Sequence, residues 1–233
     1  MKLRFLAATV AAFAIAGGTA AAQDTSTEQG HLSYALGYDL GRNLVESGEQ
    51  VNIETVVQAL RDGYARRDPT VSVEQLRSAV ENMQERQMAR AQQAFNQASA
   101  ENKTKSDAFL AQNRAKAGVQ VLPSGVQYRV IENGSGARPS PESQLQVHYK
   151  ASLPEGPTFI DTTAPREDGQ SGPVPMRLSE VPLAGLREAL GMMQAGSRWE
   201  LVLPPEAAYG NTPQSPIGPN QAVVFEVQLV GFN

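Results

Sequence analysis

Cysteine is absent from the 233 residues, and histidine occurs only at His31 and His148. A chain without cysteine forms no disulfide, has no thiol nucleophile and cannot bind a metal through thiolates. Neither histidine stands near a cluster of carboxylates in the sequence, and a metal site needs such clustering. We therefore expect no metal, no cofactor and a function that does not depend on thiol chemistry.

Long apolar runs are confined to the N-terminus. Two basic residues precede an apolar stretch, residues 5–16, and Ala20-Ala21-Ala22 supplies a run of small residues. This order is typical of a cleavable signal peptide. The stretch is too short to span a bilayer, and no cysteine follows it to carry a lipid. We expect residues 1–22 to be cleaved off after Ala22, leaving a periplasmic or secreted protein without a membrane anchor.

Basic charge is also limited. Loss of residues 1–22 leaves 18 basic and 24 acidic side chains, a net charge of −6. Nucleic-acid binding depends on a basic face that neutralises phosphates. The acidic balance therefore argues against a nucleic-acid partner.

Residues 30–117 carry almost only helical signals. A first helix is predicted from leucines at every fourth position, namely Leu32, Leu36, Leu40 and Leu44. Gly37 and Gly41 also stand four apart on this helix. Glycine destabilises a helix by about 1 kcal/mol relative to alanine. The pair therefore indicates either close approach of a neighbouring backbone or a poorly formed helix that needs tertiary packing.

Two further helices follow. The second begins at the cap residue Asn52 and ends near Pro69. The third begins at Ser72, where Ser72-Val-Glu-Gln75 fits a capping box, and neither Gly nor Pro interrupts it before Ala117. Its middle, residues 86–105, is polar nearly all round, which is typical of a solvated spacer or of an unstable helix. We favour the spacer.

The helical half has too few apolar residues for a core of its own. Small domains of this kind often complete a core by association. We predict a helical dimerisation domain over residues 23–71, a long connecting helix over 72–117 and a homodimer formed through residues 23–117.

Residues 118–233 change to two-residue alternation with Gly and Pro punctuation. Strands are predicted over 126–132, 144–153, 174–178, 197–203 and 223–232, with one short helix over 183–193. A strand-rich segment with a single helix predicts a curved antiparallel sheet wrapped on that helix. The chain as a whole is therefore expected to be α+β.

The run from Trp199 to Gly210 is the most informative part of this segment. Its strand alternates apolar and other residues and stops at Pro204-Pro205, because proline cannot donate to a ladder. Tyr209 then stands on a loop beside the sheet, where its phenol can orient a ligand. The alternative is that Tyr209 simply packs in the core.

Together with Val147-His-Tyr149 and the closing stretch 217–229, this run resembles the FKBP-type peptidyl-prolyl cis-trans isomerases. The resemblance covers residues 119–232. Residues 33–43 resemble the N-terminal domain of the Mip/FkpA subgroup, in which two chains intertwine their short helices. The resemblance implies a rotamase that acts non-covalently and without cofactor on unfolded or proline-containing polypeptides, and so assists the folding of exported proteins.

The resemblance also implies the site residues. Asp161 and Tyr209 match the catalytic polar groups of the family, with Tyr209 bonding a substrate carbonyl and Asp161 receiving Arg166 and the Tyr149 phenol. The implied substrate-binding residues are Tyr149, Ile160, Arg166, Val174, Val181, Leu186, Ile217 and Phe225. The alternatives are an ordinary loop ion pair for Asp161 and Arg166, and core packing for Tyr149 and Phe225.

Three positions depart from the family pattern. Ile160, Val174 and Leu186 stand where the family has aromatic residues. Aromatic rings supply large, rigid contact area, so we expect weak turnover and weak binding of macrolide inhibitors. These departures, the spacer and the thin helical domain favour one alternative, a dimeric holding chaperone with weak or vestigial isomerase activity. A second alternative is a structural adaptor for one specific partner, which a discrete exposed apolar patch outside the pocket would favour.

Overall fold

The computed structural model describes residues 25–165 and 172–233. These residues form two compact units that divide between Gln87 and Met88. The predicted signal peptide and Arg166 lie outside the described residues. None of the helices in the described part of the chain is long and apolar enough to cross a membrane.

The N-terminal unit is helical. It contains α1 (Glu28–Glu46), α2 (Ile53–Tyr64) and the first turns of α3 (Val73–Arg114). None of the residues 25–87 is buried, and the exposed fraction reaches 64% for Leu36 and 95% for Tyr64. The predicted lack of a core in this half is confirmed.

Side-chain caps explain where these helices begin. The Asn52 side chain accepts a hydrogen bond from the amide of Thr55 (2.8 Å), and the Ser72 hydroxyl accepts one from the amide of Gln75 (3.2 Å). Such bonds satisfy amides that a helix leaves free in its first turn. The predicted starts at Asn52 and Ser72 are confirmed, and α3 runs unbroken as expected. It ends at Arg114, and Gly118 follows in the left-handed region with φ +79°, which glycine adopts without strain.

The C-terminal unit is built on one antiparallel sheet. Its strands are β1 (Gln120–Val121), β2 (Gln127–Glu132), β3 (Gln144–Ser152), β4 (Thr158–Asp161), β5 (Val174–Arg177), β6 (Arg198–Leu203) and β7 (Val223–Phe232). The spatial order is β1-β2-β6-β7-β3-β4, and β5 also pairs with β3. Strands β4 and β5 share one edge of β3, with β5 on its first half and β4 on its second. The α+β prediction is confirmed, although β1 and β4 were not predicted.

One helix, α4 (Ala184–Met192), covers this sheet and packs on β6. Its predicted apolar face is buried, as are the inward residues of the central strands: Leu186, Ala189, Leu190, Met193, Leu145, Val147, Leu201, Leu203, Phe225 and Val227. Trp199 is also buried and stacks on Tyr128 with ring centroids 4.6 Å apart. The prediction that Trp199 packs in the core is confirmed.

The second half of α3 belongs to this unit and is not solvated on all sides. Ser106 and Asn113 are buried. The Asn113 amide donates to the side-chain oxygen of Gln127 (2.9 Å), and the Gln127 amide donates to the carbonyl of Leu110 (2.8 Å). Such contacts begin at Ser99 and Asn102, which bond Asn211 and Pro219, so the prediction of a solvated spacer over residues 86–105 is wrong for the last part of that range. Small polar side chains face a hydrogen-bonding protein surface there instead of water.

Candidate active site

Seven of the predicted site residues belong to the hydrophobic core of the C-terminal unit or pack against it, and they are here called the cluster. Three are buried, Val181, Leu186 and Phe225, and four are half-buried and pack against the core, Tyr149, Ile160, Tyr209 and Ile217. The half-buried members keep part of their surface accessible, so a ligand would reach them first. The cluster thus offers an apolar surface with two phenols at its edge.

Tyr149 is held in this cluster by β3 and by Thr162. Its ring lies 6.2 Å from the Phe225 ring, tilted by 48°, a favourable spacing for an aromatic pair. The amide of Tyr149 donates to the Thr162 hydroxyl (2.8 Å), and that hydroxyl donates to the Tyr149 carbonyl (3.1 Å). Thr162 therefore fixes the backbone of Tyr149 where β4 ends.

Tyr209 follows a short 3-10 turn, Pro205–Ala207, that continues from the Pro204-Pro205 stop of β6. The amide of Gly210 donates to the Pro205 carbonyl (2.8 Å), and Gly210 has φ +73°. Burial, and secondarily the nearby Tyr149 phenol, raises the pKa of Tyr209. The phenol therefore keeps its proton at neutral pH and can donate a hydrogen bond.

Close packing of α4 positions the turn before Tyr209. A Cβ added to Gly185 would lie 2.6 Å from Val126 Cγ2, 2.9 Å from Ala207 Cβ and 3.0 Å from the Ala207 carbonyl oxygen. No side chain fits in that space. Gly185 thus allows the start of α4 to contact the Pro205–Ala207 turn directly.

Strand β4 places Ile160 and Asp161 on opposite faces. Ile160 pairs with Ala151, and Asp161 pairs with Lys150. Because cross-strand partners share a face and successive residues alternate, Ile160 projects on the side of Ala151 and Tyr149, while Asp161 projects with Lys150. Ile160 therefore projects toward the core, on which it packs.

The surroundings of Asp161 differ from the expectation. Its carboxylate accepts bonds from the Thr163 hydroxyl (2.6 Å) and amide (2.9 Å), and it forms an ion pair with Lys150 (3.3 Å). The two Thr163 bonds, with a smaller contribution from Lys150, lower the pKa of Asp161. Within the described part of the chain, no bond joins Asp161 to the Tyr149 phenol. The strand register, which places these groups on opposite faces, explains the difference.

The two remaining predicted site residues, Val174 and Arg166, are not part of the cluster that the structure describes. Val174, on β5, pairs with Val147 on β3 and is half-buried. It is not among the residues that pack on the core. Arg166 lies outside the described residues.

Sequence reasoning missed Lys150, Thr162 and Thr163 as partners of site residues. The two threonines could have been indicated by their position directly after Asp161. Among the described residues, no group of His, Asp and Glu is arranged to hold a metal ion.

Comparison with known proteins assigns both parts of the chain. A profile described as "Domain amino terminal to FKBP-type peptidyl-prolyl isomerase" matches residues 29–130, and one described as "FKBP-type peptidyl-prolyl cis-trans isomerase" matches residues 136–230. The chain is 35% identical to the "Outer membrane protein MIP" of Legionella longbeachae, over 99% of this chain and 97% of that protein. It is 34% identical to the "FKBP-type 22 kDa peptidyl-prolyl cis-trans isomerase" of Escherichia coli K12, over 88% and 95%.

A solved structure agrees with these matches. The fold is similar to that of FkpA from Escherichia coli, with a TM-score of 0.65 and 26% identity over 89% of this chain and 98% of that one. The order of a helical segment and a sheet domain with one helix is thus that of proteins named Mip and FkpA. The chain belongs to the FKBP-type peptidyl-prolyl cis-trans isomerases, in the Mip/FkpA subgroup.

Proposed function

We propose that this protein accelerates cis–trans rotation of X–Pro bonds in other polypeptides through the cluster around Tyr149 and Tyr209. Amide resonance opposes that rotation with a barrier of about 18–20 kcal/mol. In the twisted transition state the carbonyl and the nitrogen are decoupled, and an apolar site favours that arrangement over the planar amide. The observation that carries the proposal is the proton-bearing Tyr209 phenol at the edge of an apolar cluster.

The residues have different roles in this proposal. The Tyr209 phenol donates to the substrate carbonyl as it turns, while Tyr149, Ile160 and Ile217 contact the proline ring. Val181, Leu186 and Phe225 form the floor beneath them, and Val174 borders the site. For Arg166 the substrate-binding role is proposed from the family resemblance alone. Asp161 supports the wall through its bonds to Thr163 and Lys150, because its carboxylate lies on the outer face of β4.

A protease-free isomerisation assay on a peptide with an apolar residue before proline tests the role of Tyr209. Residues 23–233 should accelerate isomerisation, and Tyr209→Phe should lower kcat/KM by about five-fold, since a neutral hydrogen bond contributes about 1 kcal/mol. Tyr128→Phe is the matched control, because Tyr128 packs on the same core but its phenol bonds Gln120 (2.7 Å) and its ring stacks on Trp199, neither of which is a predicted site residue. Equal rates for the three proteins would contradict the role of Tyr209, and no acceleration by the wild type would contradict the function.

The family comparisons favour this isomerase over the holding chaperone. The two functions separate in an aggregation assay with an unfolded client protein. Suppression that depends on prolyl isomerisation should fall in Tyr209→Phe. Suppression that persists at full strength in that variant would support a chaperone activity independent of the site.

We also propose that residues 23–71 form a dimerisation domain and that two chains associate through residues 23–117. Support comes from the exposed apolar side chains of α1 and α2, since contiguous exposed apolar surface marks interaction sites. A Cβ added to Gly37 or Gly41 would meet nothing within 4 Å among the described residues, which leaves room for a second backbone. Sedimentation at micromolar concentration should give a dimer, and a monomer would contradict the proposal.

Export is a third element of the proposal. Residues 1–22 are proposed to be a signal peptide, so that the mature protein works on exported polypeptides outside the cytoplasm. Mass spectrometry of the exported protein should find Gln23 at its N-terminus. A retained Met1 would contradict this.

A further inference from the structure

The loop from Gly210 to Gln221, here called the rim loop, connects Tyr209 to β7 and carries Ile217. Both residues are half-buried members of the cluster. The loop contains Pro213, Pro216 and Pro219, which have no amide hydrogen to pair. Its position therefore depends on a small number of bonds made by the remaining groups.

Helix α3 supplies several of those bonds. The buried Ser106 hydroxyl, 2% exposed as a residue, donates to the Asn220 carbonyl (2.9 Å) and accepts from the Ala222 amide (2.8 Å). One turn earlier, the Asn102 amide donates to the Pro219 carbonyl (2.9 Å). Two consecutive carbonyls of the rim loop and the first amide after it are thus bonded to the helix.

A third position extends the contact to the start of the loop. The Ser99 hydroxyl donates to the side-chain oxygen of Asn211 (3.0 Å) and accepts from the side-chain amide of Asn220 (2.8 Å). Asn220 has φ +53°, and its backbone amide donates to the Gly210 carbonyl (3.0 Å). Ser99 therefore joins the two ends of the loop, directly beside Tyr209.

The spacing of these residues is that of one helix face. Positions 99, 102, 106 and 113 recur at intervals of three, four and seven residues, which places them on one stripe. The stripe is polar because its partners are carbonyls and amides. Only its last member bonds β2 instead of the rim loop.

We propose that Ser99, Asn102 and Ser106 are positioning residues of the isomerase site, which hold the rim loop so that Tyr209 and Ile217 can contact a proline substrate. The inference rests on the proposed function of the cluster. It makes the stretch of α3 from Ser99 to Ser106 a support for the substrate-binding surface. Losing the Ser106 hydroxyl would leave a buried carbonyl and a buried amide without a partner and would free the loop to move.

Ser106→Ala in residues 23–233 tests this, with Asn113→Ala as the matched control. Both variants remove a buried polar contact of α3, but only Ser106 bonds the rim loop. We expect Ser106→Ala to lower kcat/KM by roughly ten-fold, mainly through a higher KM, because a small displacement of binding groups reduces productive binding. Asn113→Ala should retain the wild-type kcat and KM. Asn102→Ala removes a less buried bond and gives the same test if Ser106→Ala does not fold.

Hydrogen exchange of the Gly210 and Asn220 amides gives a readout that does not need activity. These amides should exchange faster in Ser106→Ala than in wild type or Asn113→Ala. If exchange and KM are both unchanged in Ser106→Ala, or if Asn113→Ala changes them equally, the positioning role is overturned and α3 is merely docked. If the wild type lacks isomerase activity, the proposed function fails, and exchange alone decides whether α3 holds the loop.

Discussion

Every buried hydrophobic side chain in the described part of the protein lies after residue 121, whereas most of the large apolar side chains of α1 and α2 are exposed. The C-terminal unit has a sheet and a helix that cover each other's apolar faces. The N-terminal unit has helices with side-chain caps, but among the described residues none of its side chains is buried. The comparison teaches that the C-terminal unit has a core of its own, while the proposed dimer would supply the N-terminal unit with a surface to cover its apolar side chains.

The strongest test of this contrast removes core volume from the C-terminal unit. Leu201 is fully buried on β6. Leu201→Ala should lower the free energy of unfolding of that unit by about 2–5 kcal/mol. Trp199 is the sole tryptophan, so its fluorescence during urea unfolding reports this unit. Leu36→Ala in α1 should leave that transition unchanged. Equal shifts from the two variants would mean that the units do not have separate cores.

A charge on the exposed face of α1 should affect association and not the core. Leu36→Asp would place a carboxylate in the proposed dimer interface, and the dissociation constant should rise by at least about ten-fold, or 1.4 kcal/mol. Analytical ultracentrifugation measures it. Gln194→Asp adds the same charge at an exposed position of the C-terminal unit and should leave the constant unchanged. An unchanged dimer in Leu36→Asp would place the interface elsewhere.

Substitutions at two glycines of α4 test whether close packing of this helix stabilises the C-terminal unit. Gly185→Ala would force the Pro205–Ala207 turn outward and should destabilise the unit by about 1–3 kcal/mol, with a loss of isomerase activity because Tyr209 follows that turn. Gly191→Ala is the control, since its Cβ would meet only Leu178 at an ordinary 3.7 Å. Unfolding and activity assays on both compare them. Equal behaviour of the two variants would contradict the close-packing role of Gly185.

The smallest expected effect is the pH dependence carried by Asp161. The Thr163 bonds lower the pKa of Asp161 in the folded state, so its contribution is present above the unfolded pKa of about 4 and is lost as the pH falls through the folded pKa. Asp161 is exposed, so water screens the effect. Urea unfolding of wild type and Asp161→Asn from pH 7 to 2 should converge at the acid end. A stability difference that stays constant over that range would exclude the carboxylate as its source.

Local signals in the sequence were sufficient to predict most of the helices and strands. Asn52 and Ser72 predicted helix starts because a cap acts within one turn, and alternation predicted five strands because each is long enough to show it. Strand β1 has only two residues, which is too few to show alternation. Strand β4 has four residues, as β5 does, but its apolar residues Phe159 and Ile160 are adjacent and do not alternate with polar ones. The existence of β1 and β4 depends on pairing with β2 and β3.

The sequence predicted which residues belong to the candidate site better than it predicted the directions and contacts of their side chains. Tyr149, Ile160, Tyr209, Ile217 and Phe225 belong to the core of the C-terminal unit or pack on it, and their role in a substrate site stays a prediction from the family resemblance. The outward direction of Asp161 follows from its register with Lys150, which is a contact between distant parts of the chain. The docking face of α3 was missed because a polar stripe that bonds protein carbonyls has the same composition as one that faces water.

Exchange NMR of residues 23–233 with a proline peptide tests the central claim most directly, because it reports rotation and binding in one sample. The account predicts faster exchange between the cis and trans peptide resonances, with chemical-shift changes at Tyr149, Ile160, Tyr209 and Ile217. Peptide binding that shifts only residues of α1 and α2, with no acceleration of exchange, would contradict it.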